Sequence, residues 1–377
     1  MTVGLLDQGI LRVGRRLGMA LTGAPAGRIS LATIPLVMAA CGPTPSAEHP
    51  ALRIERLLDA PIITPETHPS IGSNIQGPSL IRVPHWVESP LGKYYLYFAD
   101  HKGSYIRLAY ADDLLGPWSV HPPGSLLIEH SHFPSEPPPI DQAELERAKA
   151  RRAAAYGGNK LPHSIEKEFT APHIASPDVH IDERNRRIVM YFHGLEGFGR
   201  QVTRVALSDD GIDFRARPEI LGRTYLRAFR YLGETYGIAM PGQLYRSASE
   251  DGLSAFEEGP LLFNPDMRHC ALLKRGDRLD VFWTQVGEAP ERILLSTIDL
   301  TPPWTEWRET GAMEVLRPER AWEGGSLPLE PSMRSVAYGP VNQVRDPAIF
   351  EEDGRVFLLY AVAGESGIAI AEVHYEN

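Results

Sequence analysis

One arrangement recurs along this chain and limits its fold more than any other feature: a short apolar strand, a turn, and a second apolar-aromatic strand. Residues 78–83 and 93–98 form one copy, 177–182 and 187–192 another, 268–273 and 278–283 a third, and 346–350 and 355–360 a fourth. A fainter copy, 227–231 followed by 236–240, lies between them. Third strands follow at 106–110, 202–206, 293–297 and 368–372, and closing segments at 116–120 and 304–307. Three to four antiparallel strands repeated about five times is the pattern of a β-propeller. A single unit of this kind cannot cover both of its faces, so neighbouring units must stack radially. The reading is all-β: a five-bladed β-propeller with a helical, Pro-rich insertion between blades one and two.

The insertion covers residues 129–172 and opens with Pro134, Pro137, Pro138 and Pro139. A helix is expected from Asp141 to Ala155, with Asp141 as its cap. The propeller is assigned to residues 51–377 and a leader with its tether to 1–50. In that leader, Arg28 precedes an apolar run from 29 to 40 that ends at Ala39-Ala40-Cys41, followed by Gly42-Pro43-Thr44-Pro45. The run is too short to span a bilayer and resembles a bacterial lipoprotein signal, with Cys41 as the lipid-bearing residue. The expectation is an extracytoplasmic protein, secreted or lipid-anchored at the periplasm or cell surface. Cys41 and Cys270 are the only cysteines, so there is no disulfide framework and no Cys/His zinc spacing. A net charge of -10 argues against nucleic acid as a partner, and no feature calls for an obligate protein partner.

Propeller geometry turns the repeat into a candidate site. The first strand of each blade is innermost, and the second returns to the same face, so residues before strand one and after strand two converge at one mouth. These positions hold Asn74 and Gln76, then His101; His173, Ser176 and Asp178, then His193; Arg227; Arg268 and His269, then Thr284; and Arg345 and Asp346, then Glu365. Carboxylates, imidazoles, guanidinium groups and amides in a ring suit a ligand dense in hydroxyls.

The repeats resemble glycoside hydrolase family 43 and its five-bladed relatives, including family 117. In those families a strand-initial Asp-Pro supplies the base and a Pro-Asp-Val-like segment tunes the acid. Asp346-Pro347-Ala348-Ile349 matches the first pattern and Ser176-Pro177-Asp178-Val179 the second. Arg345-Asp346-Pro347 is also similar to the Arg-Asp-Pro of the invertase clan, where the carboxylate braces sugar hydroxyls. The chain departs from family 43 in two places. Blade one, which should carry the base, has Gln76-Gly77-Pro78, and blade four, which should carry Glu-Gly-Pro, has Arg268-His269-Cys270. The Glu258-Gly259-Pro260 string precedes that strand by several residues and is assigned to the close of blade three. Family 117 uses a histidine as acid, which makes His269 the substitute.

The resemblance implies a glycoside hydrolase acting on an oligo- or polysaccharide. Its catalytic groups would be Asp178, His269 and Asp346, and its substrate contacts Gln76, His101, His173, His193, Arg227, Arg268, Arg345 and Glu365. An inverting reaction would set acid and base roughly 6.5–9.5 Å apart. No organic cofactor is expected. Two other readings stay open: a non-catalytic carbohydrate-binding propeller, and a metal-dependent enzyme in which His101, His173, His193 and His269 hold a central divalent ion.

Overall fold

A computed structural model describes residues 49–156 and 162–376, so the leader call and Cys41 lie outside the described residues. Strand β1 (Leu52–Arg56) comes first and joins the last blade. Blade one is β2 (Gln76–Arg82), β3 (Tyr94–Ala99), β4 (Tyr105–Ala111) and β5 (Ser119–Leu127). Helices α1 (Gln142–Tyr156) and α2 (Ile165–Thr170) follow. Blade two is β6 (Ile174–Asp182), β7 (Arg187–Gly197), β8 (Arg200–Ser208) and β9 (Arg215–Ala216). Blade three is β10 (Arg227–Tyr231), β11 (Glu234–Ala239), β12 (Gln243–Ser247) and β13 (Phe256–Leu261), so the Glu258-Gly259-Pro260 string does close it. Blade four is β14 (Met267–Arg275), β15 (Arg278–Gln285), β16 (Ile293–Asp299) and β17 (Met313–Leu316). Blade five is β18 (Arg345–Glu352), β19 (Arg355–Ala361) and β20 (Ile368–Tyr375), completed on the outside by β1, whose Ile54 sits opposite Val373. The fold is the five-bladed propeller that the repeat predicts.

The core consists of seams between blades. Along β3, Tyr94, Leu96 and Phe98 pack toward blade five, beside Phe350 and Phe357. Tyr95, Tyr97 and Ala99 alternate with them and pack toward blade two, beside Val179 and Met190. In β15, Leu279, Val281 and Trp283 face blade three while Phe282 faces blade five. Both faces of these strands are covered, and that explains why they read as unbroken apolar runs rather than as alternating ones. Cys270 is buried in the seam of blades three and four, where desolvation pushes its thiol up to about 12.

The innermost strands share a distortion that shapes the axis. In blades one, two, four and five the register of strands one and two shifts near the strand start: between Gln76 and Ser79, Ala175 and Asp178, Met267 and Cys270, and Arg345 and Ala348. These are β-bulges, which bend a strand and re-aim its side chains. In three of them a left-handed residue stands before a proline: Gly77 at φ 63°, Ser176 at φ 51° and Asp346 at φ 47°. Gly77 is required by space as well as angle, because a Cβ there would lie 2.9 Å from Ser176 Cα in the next blade.

In the insertion, α1 begins one residue after its expected cap, and the Glu144 amide donates to Asp141 Oδ1 at 2.9 Å. Helix α2 was not expected. Ser164 caps it, with its Oγ accepting from the Lys167 amide at 3.1 Å.

Candidate active site

A cavity of about 330 Å³ opens near the axis. Its wall draws on distant parts of the chain: His101 after β3, Glu168 and Phe169 of α2, Gln201 of β8, Tyr225 before β10, Arg268 of β14, and Ser335 before β18. Helix α2 is tied to the blades around it. Lys102 Nζ lies 3.2 Å from Glu168 Oε1, and Ser335 Oγ donates to Glu168 Oε2 at 3.0 Å. The Gly199 amide donates to the Phe169 carbonyl at 2.9 Å. His163, Lys102 and His101 hold the Glu168 carboxyl well below the usual carboxylate range against the opposing cost of its burial, so it is an anion.

Tyr225 forms a bridge between histidines, its ring centroid 4.2 Å from that of His193 and 4.4 Å from that of His269. His269 Nδ1 in turn lies against Asp346 Oδ1, and both side chains are buried. A proton on Nδ1 serves both atoms and leaves the lone pair of the imidazole on Nε2. Burial pulls His269 below its ordinary pKa, and the neighbouring Asp346 carboxyl opposes this. His269 and Arg268 draw the Asp346 carboxyl below its ordinary value against the larger opposing cost of burial. Desolvation raises the Tyr225 hydroxyl above its ordinary value, so it stays protonated as a donor.

Behind the wall, two buried glutamates organise the arginines. Glu365 accepts from Arg345 Nη1 at 2.8 Å and from Asn74 Nδ2 at 2.8 Å, and sits 3.4 Å from His101 Nδ1. Glu291 lies 3.1 Å from Arg268 Nη1 and 3.2 Å from Arg345 Nε. Arg345 and Glu365 therefore brace the site from within, and neither lines the cavity.

The other expected site residues are distributed unevenly. His101 and Arg268 line the cavity. His173 and His193 are buried with ring centroids 6.1 Å apart, His173 Nδ1 donates to the Ala171 carbonyl at 2.7 Å, and desolvation lowers His173 to about 3. Gln76 is buried and accepts from Ser176 Oγ at 3.0 Å. Asp178 is the clear departure. The bulge turns it away from the mouth into a separate cavity of about 110 Å³, where Asp178 Oδ2 contacts His180 Nε2 at 2.8 Å and accepts from the Ala228 amide at 2.8 Å. Arg227 shares that lower cavity and is spent on the carbonyls of Cys270 and Pro177. Asp178 thus does not join His269 and Asp346. Among the described residues, no three His, Cys, Asp or Glu side chains are placed to hold one ion, so the metal-ring alternative finds no ligand set there. Trp283 and Tyr231 are seam residues. Trp86 donates to Glu183 at 2.9 Å, and none of these three aromatic residues is among those lining the cavity.

Sequence reasoning missed Glu168, Tyr225, Glu291 and Ser335. Tyr225 falls two residues before its strand, at φ 58°. The others lie in connections that the repeat does not index.

No family model matches the sequence. An uncharacterized protein of Acanthamoeba polyphaga mimivirus is 36% identical over 326 residues, covering 80% of this chain and 83% of that protein. Among solved structures, a thermostable family-43 glycoside hydrolase superposes with a TM-score of 0.50 at 13% identity, over 81% of this chain and 91% of that one. An α-L-arabinanase of Cellvibrio cellulosa does so with a TM-score of 0.50 at 12% identity, over 81% and 93%. At such identities the likeness establishes the shared five-bladed fold. The extensive sequence match establishes kinship, and the chain belongs to the same family as the mimivirus protein.

Proposed function

We propose that this chain is a glycoside hydrolase whose substrate enters the cavity beneath α2. The observation that carries the proposal is the buried His269–Asp346 pair packed against Tyr225, which itself lines the cavity together with the Glu168 carboxylate. A neutral imidazole oriented by a carboxylate is suited to take a proton from an attacking hydroxyl group or water. Tyr225, His101 and Arg268 can donate hydrogen bonds to sugar oxygens, and Glu168 is a second anion across the cavity wall. Likeness of fold to a family-43 hydrolase and to an arabinanase supports a carbohydrate substrate. Kinship to the invertase clan enters the proposal through Arg345-Asp346-Pro347, and kinship to family 117 through His269, here proposed in the opposite proton-transfer role. An activity outside the cytoplasm is part of the same proposal, and the sequence of the leader up to Cys41 is what supports it.

The test is release of reducing sugar from a broad glycan library. Wild type should turn over at least one member, while Asp346→Asn and Glu168→Gln should each lower kcat by about 100-fold or more. Full activity in Asp346→Asn would overturn the assignment.

A non-catalytic sugar-binding propeller is the second reading, favoured by one observation. The bulge positions of blades one and two carry Gly77 and Ser176, so Asp346 is the only carboxylate among the three left-handed residues at the axis. Binding without turnover across the whole library would select this reading.

A further inference from the structure

Three observations meet at Tyr225. Its ring lies between two imidazoles, with its centroid 4.2 Å from that of His193 and 4.4 Å from that of His269. Tyr225 lines the cavity beneath α2, whereas His193, His269 and Asp346 do not, each being 2% exposed or less. Its backbone is left-handed, at φ 58°, a conformation that a residue with a bulky side chain holds only under strain. The buried pair assigned above to the chemistry therefore stands behind this ring.

Behind it, too, are polar atoms with no hydrogen-bond partner among the described residues: both ring nitrogens of His193, Nε2 of His173 and of His269, Nε2 of Gln76, and Oδ2 of Asp346. All five side chains are buried. Buried polar atoms in folded proteins are nearly always paired, because an unpaired one has given up water and received nothing. His173 stands 6.1 Å from His193, and Gln76 is held by Ser176, which also lies beside the Tyr225 hydroxyl. The set has a definite chemistry. His173 Nδ1 donates to the Ala171 carbonyl at 2.7 Å, so its Nε2 is an acceptor. With its proton on Nδ1 toward Asp346, His269 offers a second acceptor at Nε2. Desolvation holds His193 well below its ordinary pKa, so its neutral ring carries one donor and one acceptor. Asp346 adds a carboxylate oxygen and Gln76 an amide donor. A mixture weighted toward acceptors suits hydroxyl groups, which both give and take, and disfavours carboxylates and sulfates, which only take.

From this placement we infer that Tyr225 is a gate: its ring closes a subsite for an uncharged sugar ring, and swings aside so that the hydroxyls of that sugar meet His193 and His269. The inference rests on the carbohydrate reading above and adds the step that brings substrate to the buried pair. Opening replaces an aromatic face on two imidazoles with hydrogen bonds that the closed state lacks. The ligand thereby favours the open state by its differential contacts, which is what a gate driven by its own substrate requires.

The experiment reads the gate on the full chain with diethyl pyrocarbonate, which acylates imidazole nitrogens that solvent can reach, followed by peptide mass mapping. Exposed His85 is the internal standard. In wild type, His193 and His269 should react at least about 100-fold more slowly than His85. Tyr225→Ala should raise both rates about tenfold or more, and Tyr225→Phe, which keeps the ring, should leave them unchanged. Cys270, buried in its seam, should stay unreactive in each variant as the sign of an intact fold, and Tyr225→Leu takes the place of an alanine variant that fails this check. A second arm adds arabinose, xylose, galactose and glucuronate in turn. At least one neutral sugar should slow acylation of His193 and His269 in the opened variant about tenfold, and glucuronate should not. Histidines that stay slow in the folded alanine or leucine variant, that no sugar protects, or that glucuronate protects as well as a neutral sugar overturn the inference. Gated acylation with sugar protection but no turnover of any glycan keeps the gate and sinks the hydrolase reading. Turnover by a wild type whose two histidines react as fast as His85 does the reverse.

Discussion

Glu365→Gln isolates the value of one buried charge. The carboxylate is fully buried, accepts from Arg345 and from Asn74 at 2.8 Å each, and sits 3.4 Å from His101. The amide has the same shape, but it removes the charge and turns an NH₂ toward a donor. Among the described residues, Arg345 keeps Glu291, at 3.2 Å and shared with Arg268, as its remaining ionic partner. Breaking a buried pair by removing one member costs about 3–5 kcal/mol, a large share of the 5–15 kcal/mol that typically holds a protein folded. Urea unfolding at pH 7 should show that loss, and Glu365→Gln/Arg345→Met should recover part of it by removing the orphaned cation. The pH dependence follows from the sign of the shift. His101, Arg345 and Arg268 hold the Glu365 carboxyl well below its ordinary 4.5 despite burial. A depressed folded-state pKa contributes stability above the unfolded value and loses it as pH falls, so the gap between wild type and Glu365→Gln should narrow below about pH 4.5. A loss under about 1 kcal/mol at pH 7, or a gap that ignores acid, refutes the reasoning.

Three further outcomes are expected. Gly77→Ala sets a Cβ against Ser176 Cα at φ 63° and should cost about 2–4 kcal/mol from left-handed strain and overpacking together; a calorimetric melting point matching wild type would contradict this. Phe282→Ala empties a fully buried site in the seam of blades four and five and should cost about 3–5 kcal/mol in chemical denaturation, with a loss below about 1 kcal/mol counting against the seam assignment. In a Cys41→Ala background the Cys270 thiol, buried and raised to about 12, should react with a thiol reagent only when the protein unfolds; prompt native-state labelling would show that the seam is open.

The blades were legible because each central strand must satisfy two neighbours at once. Tyr94 through Ala99 send alternate side chains into two seams, which forces a run with no polar break. The axial positions were legible for the same geometric reason, and His101, Arg268, His269 and Asp346 do gather there. Asp178 lies apart from His269 and Asp346 because of a bulge of one extra residue, which is invisible in a strand pattern. It advances the inward-facing position to Ser176 and sends the carboxylate down the channel. Glu168 was out of reach for another reason: it sits on a six-residue helix inside an insertion, and only the folded path of that insertion brings it to the cavity. Glu291 and Gln343 meet through a lone bridge between loops, a contact with no local signature at all.

Because Leu52–Arg56 hydrogen-bonds to Ile368–Tyr375, the ring is complete only when segments more than 300 residues apart have met. Until then a growing chain is an open arc, with the apolar flanks of its terminal blades and the unpaired margin of β20 bare to solvent. Contacts this distant in sequence slow folding and prolong that exposure. Shielding of the unclosed arc, more than the strength of any single seam, would then set how much of the chain reaches its finished form.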